Sequence, residues 1–249
     1  MESLELEHLL ATQLKALQWT LSLAESCSGG LISHRITNVP GSSDYFMGGV
    51  VAYSNTAKIT LLKVAPQTLE DHGAVSAETV TQMALGAQEL FKTHTAIAVS
   101  GIAGPSGGSP QKPLGTVWIG IALPSQVSAH HYRFFGNRQQ IKQQSAEAAL
   151  WLLAQNLALE TKEPSQQRQL TTTQPIAVEF SDQGMDALRI RAFDWQGKRI
   201  VIQSIGRRWQ DARGEHYLAM SYQGKVFELI RKADGCWYLR LPRESVDFA

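Results

Sequence analysis

Cysteine is scarce in this chain, and so is any surplus of charge. Cys27 and Cys236 are its two cysteines. They fall in segments assigned below to different domains, so neither a disulfide framework nor a zinc site is expected. The formal net charge is +1, which leaves no global field to recruit nucleic acid or a membrane surface. Long hydrophobic runs are missing too, since none reaches the ~20 residues that a membrane-spanning helix needs. The start, Met1-Glu2-Ser3-Leu4-Glu5, is acidic where a secretory signal would be basic, so a cytoplasmic location is expected.

Familiar motifs are also lacking. There is no Walker loop and no G-x-G-x-x-G, which removes support for those nucleotide folds. No Gly-x-Ser-x-Gly elbow is present, which counts against an α/β-hydrolase. The seven histidines, His8, His34, His72, His94, His130, His131 and His216, show no metal spacing, so no metal and no cofactor is expected. Ser109-Pro110-Gln111-Lys112 fits S-x-x-K, but it sits in a Pro/Gly loop that would not align the two side chains.

What remains is a globular composition. Of 249 residues, 43% are hydrophobic and 18% charged, enough for one good core and a second folded unit. Leu6, Leu9, Leu10, Leu14 and Leu17 recur at helical spacing. Thr20–Ala24 then reads as a buried strand and Leu31–Ile36 as a helix. Gly49–Tyr53 reads as a strand, followed by Ser54 as N-cap of a helix through Leu62. A helix over Ala77–Phe91 capped by Ser76, strands at Thr95–Ser100 and Gly115–Leu123, and a helix from Arg138 complete an alternating pattern. That pattern implies an α/β fold with a layered αβα sheet.

The composition changes after this half. Residues 1–162 form the α/β domain, and the polar stretch over 163–175, which holds Pro164, reads as a linker. Residues 176–249 carry short alternating segments separated by Gln196-Gly197, Arg213-Gly214, Gln223-Gly224 and Asp234-Gly235. They predict a small, mainly antiparallel β domain, a meander or half-barrel. This tail has twelve Lys and Arg against ten Asp and Glu, so it is no strong nucleic-acid surface. Its Trp195 and Trp209, the latter beside Arg207-Arg208, are expected to serve packing or oligomerisation, with a protein or single-strand contact as the other reading.

Chemistry is expected at the glycine-rich strand ends. Ala24-Glu25-Ser26-Cys27-Ser28-Gly29-Gly30 follows an apolar strand and opens a helix, a setting for an anion cradle or simply for tight packing. Ser100-Gly101-Ile102-Ala103-Gly104 follows another buried strand, and open α/β sheets collect ligands at such ends. Ser26, Ser28, Ser42, Ser43 and Ser100 are nearby hydroxyls, each in need of a base. Lys58, near a helix N-terminus, is the base candidate, with Tyr53 able to relay a proton; a solvated surface lysine is the other reading. Arg138 opens the last helix and suits either a phosphate clamp or a helix-end ion pair.

Taken together, six ordered segments closely resemble the CinA C-terminal domain family, the nicotinamide mononucleotide deamidases. They are Ala24–Gly30, Pro40-Gly41-Ser42-Ser43, Val51–Lys58, His72–Ser76, Ser100–Pro105 and Lys112–Val117. The resemblance covers roughly residues 5–160 and implies hydrolysis of the nicotinamide mononucleotide carboxamide to nicotinate mononucleotide and ammonia. It implies Ser43 as nucleophile, Lys58 as base, Tyr53 assisting, and Ser26 as alternative nucleophile or substrate contact. Ser28, Gly29, Gly30, Asn55, Ser100, Gly101 and Arg138 are implied to bind substrate, with Arg138 on the 5′-phosphate. A homo-oligomer is implied as well, with no membrane and no nucleic-acid partner. The second functional reading is a nucleotide-binding adaptor whose β domain engages a protein or nucleic acid.

Overall fold

The first half of the chain holds five strands and six helices, and all but one strand and one helix lie where its apolar patterning predicts. The structure, a computed structural model, describes residues 5–161, 173–181, 189–195, 197–222 and 225–240. It divides the chain into two compact units, Met1–Glu163 and Pro164–Ala249.

The first unit runs α1 (Glu5–Leu17), β1 (Leu21–Glu25), α2 (Leu31–Thr37), β2 (Phe46–Val51), α3 (Asn55–Leu62), α4 (Pro66–Asp71), α5 (Ala77–Phe91), β3 (Thr95–Gly101), β4 (Thr116–Ala122), β5 (Val127–Arg133) and α6 (Arg138–Thr161). The sheet order is β2-β1-β3-β4-β5. β1 is parallel to β2 and β3, while β4 and β5 are antiparallel additions. This is a mixed α/β sheet, and β1 is buried along its whole length. Ser54 and Ser76 cap α3 and α5 as expected, accepting from Ala57 N at 3.0 Å and Thr79 N at 3.2 Å.

One sheet face packs on α5, where Val80, Met83, Ala84 and Ala87 meet Ala24, Ala96, Ala98 and Ala122. Small side chains on both sides bring helix and strands close. At Gly86 a Cβ would stand 1.9 Å from the Leu62 carbonyl oxygen, so only glycine lets the end of α3 reach α5. α6 packs against β3 and β4 and also against α1 and α2. Its Ile141, Ala148, Ala149, Leu152 and Leu153 are all buried, as their spacing predicts. Ala146, Leu150 and Leu157 are buried too, because a helix enclosed on several sides is apolar around most of its circumference. Arg35 of α2 ties this layer together by pairing with Glu7 of α1 at 2.5 Å and Glu147 of α6 at 2.6 Å.

Two elements escape the sequence patterning. α4 is a single short helix opened by Pro66, where a missing N–H costs nothing. β5 is the sheet's outer strand and is at most half-buried, so it carries no apolar run. β2 starts at Phe46, earlier than expected, because Gly48 and Gly49 interrupt its apolar pattern.

The second unit contains β6 (Thr173–Ser181), β7 (Arg189–Trp195), β8 (Lys198–Asp211), β9 (Gly214–Ser221), β10 (Val226–Arg231) and β11 (Trp237–Arg240). Each strand pairs with the next, and β11 returns to β6, so the expected meander is a closed antiparallel barrel. Ile176, Val178, Phe193, Tyr217, Leu229 and Trp237 fill its core. β6 begins at Thr173, inside the stretch read as a linker. Pro175 is accommodated because it precedes the first β7 pairing at Ala177. The remainder of that stretch, 163–172, lies outside the described residues, as do Met1–Leu4 and the turn residues Gln196, Gln223 and Gly224. β8 is far longer than its apolar core Ile200–Ile202. Its polar extension stays in the ladder through register shifts against β9.

Candidate active site

The carboxyl ends of β1 and β3 and the segment after β2 meet at one small cavity of about 250 Å³. Strand order switches direction at β1, and ligand crevices form outside the strand ends at such points. Ser26, Cys27, Tyr53, Asn55, Lys58, Ser100, Gly101 and Arg138 line it, together with Ala74, Val75 and Ala103.

At its centre Lys58 Nζ donates to Ser26 Oγ at 3.1 Å and to the Ala52 carbonyl at 2.8 Å. Lys58 sits in the first turn of α3, and that helix enters directly behind the end of β2, which carries the ammonium into the protein. Both side chains are buried. Burial lowers the Lys58 pKa below the ordinary lysine value, with a smaller opposing effect from the Cys27 thiol. The same burial pushes that thiol up to about 12, so Cys27 is a neutral wall of the cavity and not a thiolate.

Arg138, at the start of α6, donates through Nη1 to the Gly104 carbonyl at 2.7 Å and through Nη2 to the Tyr53 hydroxyl at 2.6 Å. It thereby joins the glycine-rich loop after β3 to the segment after β2. Two of its five N–H donors are engaged in this way, and the others remain for an anion. Ser100 Oγ donates to the Ala74 carbonyl at 2.6 Å, and Lys112 Nζ holds the neighbouring His72 carbonyl at 2.6 Å. These bonds fix the loop before α5 against the floor of the cavity.

The structure brings together Ser26, Tyr53, Lys58, Asn55, Ser100, Gly101 and Arg138, but not every expected residue. Ser43 lies in a single 3-10 turn, Ser42–Asp44, ahead of β2. β1 and β2 are parallel, with Leu21 beside Phe46 at one end and Glu25 beside Val51 at the other. Ser26 follows the second end and Ser43 precedes the first. At about 3.3 Å per residue, the length of the strand separates them within one chain. Ser43 therefore does not reach Lys58, and the hydroxyl that does is Ser26.

The Ser28-Gly29-Gly30 turn is also not the anion cradle its composition suggests. The N–H groups of Gly29 and Gly30 are taken by the chain itself, Gly29 N by the Ser26 carbonyl at 3.1 Å. Glu25 Oε2 accepts from Gly30 N at 2.9 Å and Ile32 N at 3.1 Å, and Oε1 from Ser33 N at 2.8 Å and Ser33 Oγ at 2.7 Å. Ser28 is fully buried with an unpartnered hydroxyl, and none of the three lines the cavity. Glu25 had a detectable signal, since it is a carboxylate ending an otherwise apolar strand just before a glycine turn.

Among the described residues, no group of three or more His, Cys, Asp and Glu side chains is placed to hold a metal ion. No helix among them is long and apolar enough to cross a membrane. In the barrel, Trp195 Nε1 donates to Gln174 at 3.1 Å, and Trp209 stacks on His216 at 4.9 Å. Arg208 pairs with Glu215 at 2.8 Å. The aromatic and basic side chains singled out in the tail thus have partners within the barrel itself.

The CinA C-terminal domain model matches residues 3–157. A CinA-like protein of Geotalea uraniireducens is 45% identical over 64% of this chain and 38% of its own length. One of Geotalea daltonii is 53% identical over 56% of this chain and 34% of its own. The chain therefore spans little more than a third of these curated relatives. Among solved structures, a competence-damaged protein (CinA) superfamily protein of Klebsiella pneumoniae is 34% identical, with a TM-score of 0.61 over 64% of this chain and 99% of its own. The competence/damage inducible protein of Agrobacterium tumefaciens is 40% identical, with a TM-score of 0.58 over 60% of this chain and 92% of its own. The shared sheet, the ordered segments around the cavity and the family match agree, and the chain belongs to the CinA C-terminal domain family.

Proposed function

We propose that this protein is an amidohydrolase that converts nicotinamide mononucleotide to nicotinate mononucleotide and ammonia in pyridine nucleotide salvage. The observation that carries the reading is the buried contact between Lys58 Nζ and Ser26 Oγ. An unassisted serine is a weak nucleophile, and amide hydrolysis without a metal needs a base beside it. A lysine whose pKa is lowered by burial is such a base.

In this reading Ser26 Oγ attacks the carboxamide carbon while Lys58, as the neutral amine, takes its proton. The Ala52 carbonyl holds an Nζ hydrogen and so aims the lone pair at Ser26. The oxyanion is stabilised by backbone N–H groups, and the N–H of Cys27, immediately after the nucleophile, is assigned that role. Lys58 returns the proton to the leaving nitrogen, ammonia departs, and an ester on Ser26 remains. Lys58 then deprotonates a water that attacks this ester, giving the carboxylate and restoring Ser26. Asn55, Ser100 and Gly101 contact the carboxamide or ribose. Arg138 directs its remaining donors to the phosphate, and Tyr53, held by Arg138, closes that side. The substrate itself comes from the family resemblance, and the cavity residues support the chemistry.

Hydroxylamine tests the covalent step. With wild-type protein it should divert part of the product to a hydroxamic acid, because it attacks the same ester. Ser26→Ala should give neither hydroxamate nor ammonia. Full turnover by Ser26→Ala would refute the assignment.

A further inference from the structure

Glu25 is buried to 1% exposure, directly precedes Ser26, and takes no part in the proton transfers above. Its two oxygens accept four hydrogen bonds, from Gly30 N, Ile32 N, Ser33 N and Ser33 Oγ, at 2.7–3.1 Å. Three backbone N–H groups and one hydroxyl thus converge on a single side chain, which accepts on both of its oxygens.

The carboxylate comes from an unusual place for a helix cap. The residue at the N-cap position of α2 is Gly30, in the left-handed region at φ 91°, with no side chain to cap the helix. The cap arrives instead from the end of β1, so the ring closed by the Glu25–Gly30 bond contains Ser26. Other bonds fix the same residue. Ser26 N donates to the Val99 carbonyl of β3 at 2.9 Å, and Gly29 N donates to the Ser26 carbonyl at 3.1 Å. The clamp also depends on β2. At Gly49 a Cβ would stand 2.6 Å from Ser33 Oγ, so glycine there gives the hydroxyl the room to reach Glu25.

We propose that Glu25 is a positioning residue whose buried carboxylate locks the Ser26–Gly30 turn onto α2 and thereby points the Ser26 hydroxyl at Lys58. This rests on the reading of Ser26 as nucleophile. It differs from a helix cap in what it controls. A cap alone sets the stability of α2, whereas the clamp sets the angle and distance of the reacting oxygen. A misplacement of about 1 Å at such an atom costs on the order of a hundredfold in rate.

Glu25→Gln keeps the shape but turns N–H donors toward donors. Ser33→Ala removes one of the four bonds and leaves the charge. The test compares full-length wild type and both variants in three ways: reaction of Ser26 with an alkyl fluorophosphonate followed by intact mass, turnover of nicotinamide mononucleotide, and its affinity by calorimetry. Phosphonylation joins Ser26 Oγ to phosphorus with loss of fluoride and needs no natural substrate. The expected result is labelling of wild type at Ser26, roughly a hundredfold slower in Glu25→Gln and a few-fold slower in Ser33→Ala. kcat should fall in parallel, with affinity unchanged within twofold. If Glu25→Gln does not fold, the graded loss in Ser33→Ala still carries the inference. Wild-type labelling rates in the folded variants, or no labelling of wild-type Ser26, would overturn it. Labelling of wild type with nicotinamide mononucleotide left intact would remove the substrate and leave the clamp standing.

Discussion

Lys58 Nζ lies 3.1 Å from Ser26 Oγ, although the two residues are 32 positions apart in the chain. β1 ends one residue before the serine, α3 begins just ahead of the lysine, and the β1–β2 register sets the two ends side by side. Lys58→Met removes the base and keeps most of the buried volume. We expect kcat to fall about a thousandfold, within the range for loss of a general base. Nicotinamide mononucleotide should still bind, as measured by calorimetry.

The lowered Lys58 pKa fixes the sign of the pH dependence. The neutral amine is the active form, so kcat/KM should rise with pH through an apparent pKa below the ordinary lysine value of 10.5. Stability moves the same way. Below the folded pKa the buried charge carries its full desolvation cost. As pH rises from there toward 10.5 the unfolded chain holds more protons, and stability increases. Denaturation of wild type and Lys58→Met at several pH values should show the wild type gaining relative to the variant.

Cys27 stands beside the nucleophile but should be chemically silent. Its thiol is buried and pushed up to about 12, and alkylation needs the thiolate. Iodoacetamide at pH 8 should leave Cys27 unlabelled by mass spectrometry and leave turnover unchanged.

The two serines of the sequence reading should separate sharply. Ser26→Ala should lose turnover altogether, whereas Ser43→Ala should keep kcat within a few-fold, since Ser43 precedes the far end of β2. Steady-state kinetics of both variants decides between them.

Arg35 neutralises two carboxylates, Glu7 and Glu147, that are 2% and 5% exposed. Arg35→Met would leave both buried without their cation, a change that costs about 3–5 kcal/mol when a buried pair is broken. A drop in Tm of roughly 10 °C should follow, read by calorimetry. The effect should be on stability, because Arg35 does not line the cavity.

Much of this was legible in the sequence, for physical reasons that differ by element. α5 and its Ser76 cap were predicted at their observed bounds, because a long amphipathic run and a local capping residue are both near-neighbour signals. Lys58, Tyr53, Asn55, Ser100, Gly101 and Arg138 were anticipated, and all line the cavity. Ser43 was expected as nucleophile from the family resemblance, and its place ahead of β2 depends on a parallel strand register that no local pattern encodes. The glycine turn was left between an anion cradle and tight packing, because only the glycines and the helix onset are visible locally. The carboxylate that fills it folds back from the strand before. Barrel closure was missed for the same reason, since β6 and β11 meet across more than sixty residues.

The most direct measurement is mass spectrometry of nicotinamide mononucleotide incubated with the purified full-length protein. The expected result is a gain of about 1 Da, from exchange of amide NH₂ for OH, with stoichiometric ammonia and loss of both in Ser26→Ala. Substrate that binds to folded wild-type protein and is recovered unchanged would contradict the deamidase reading.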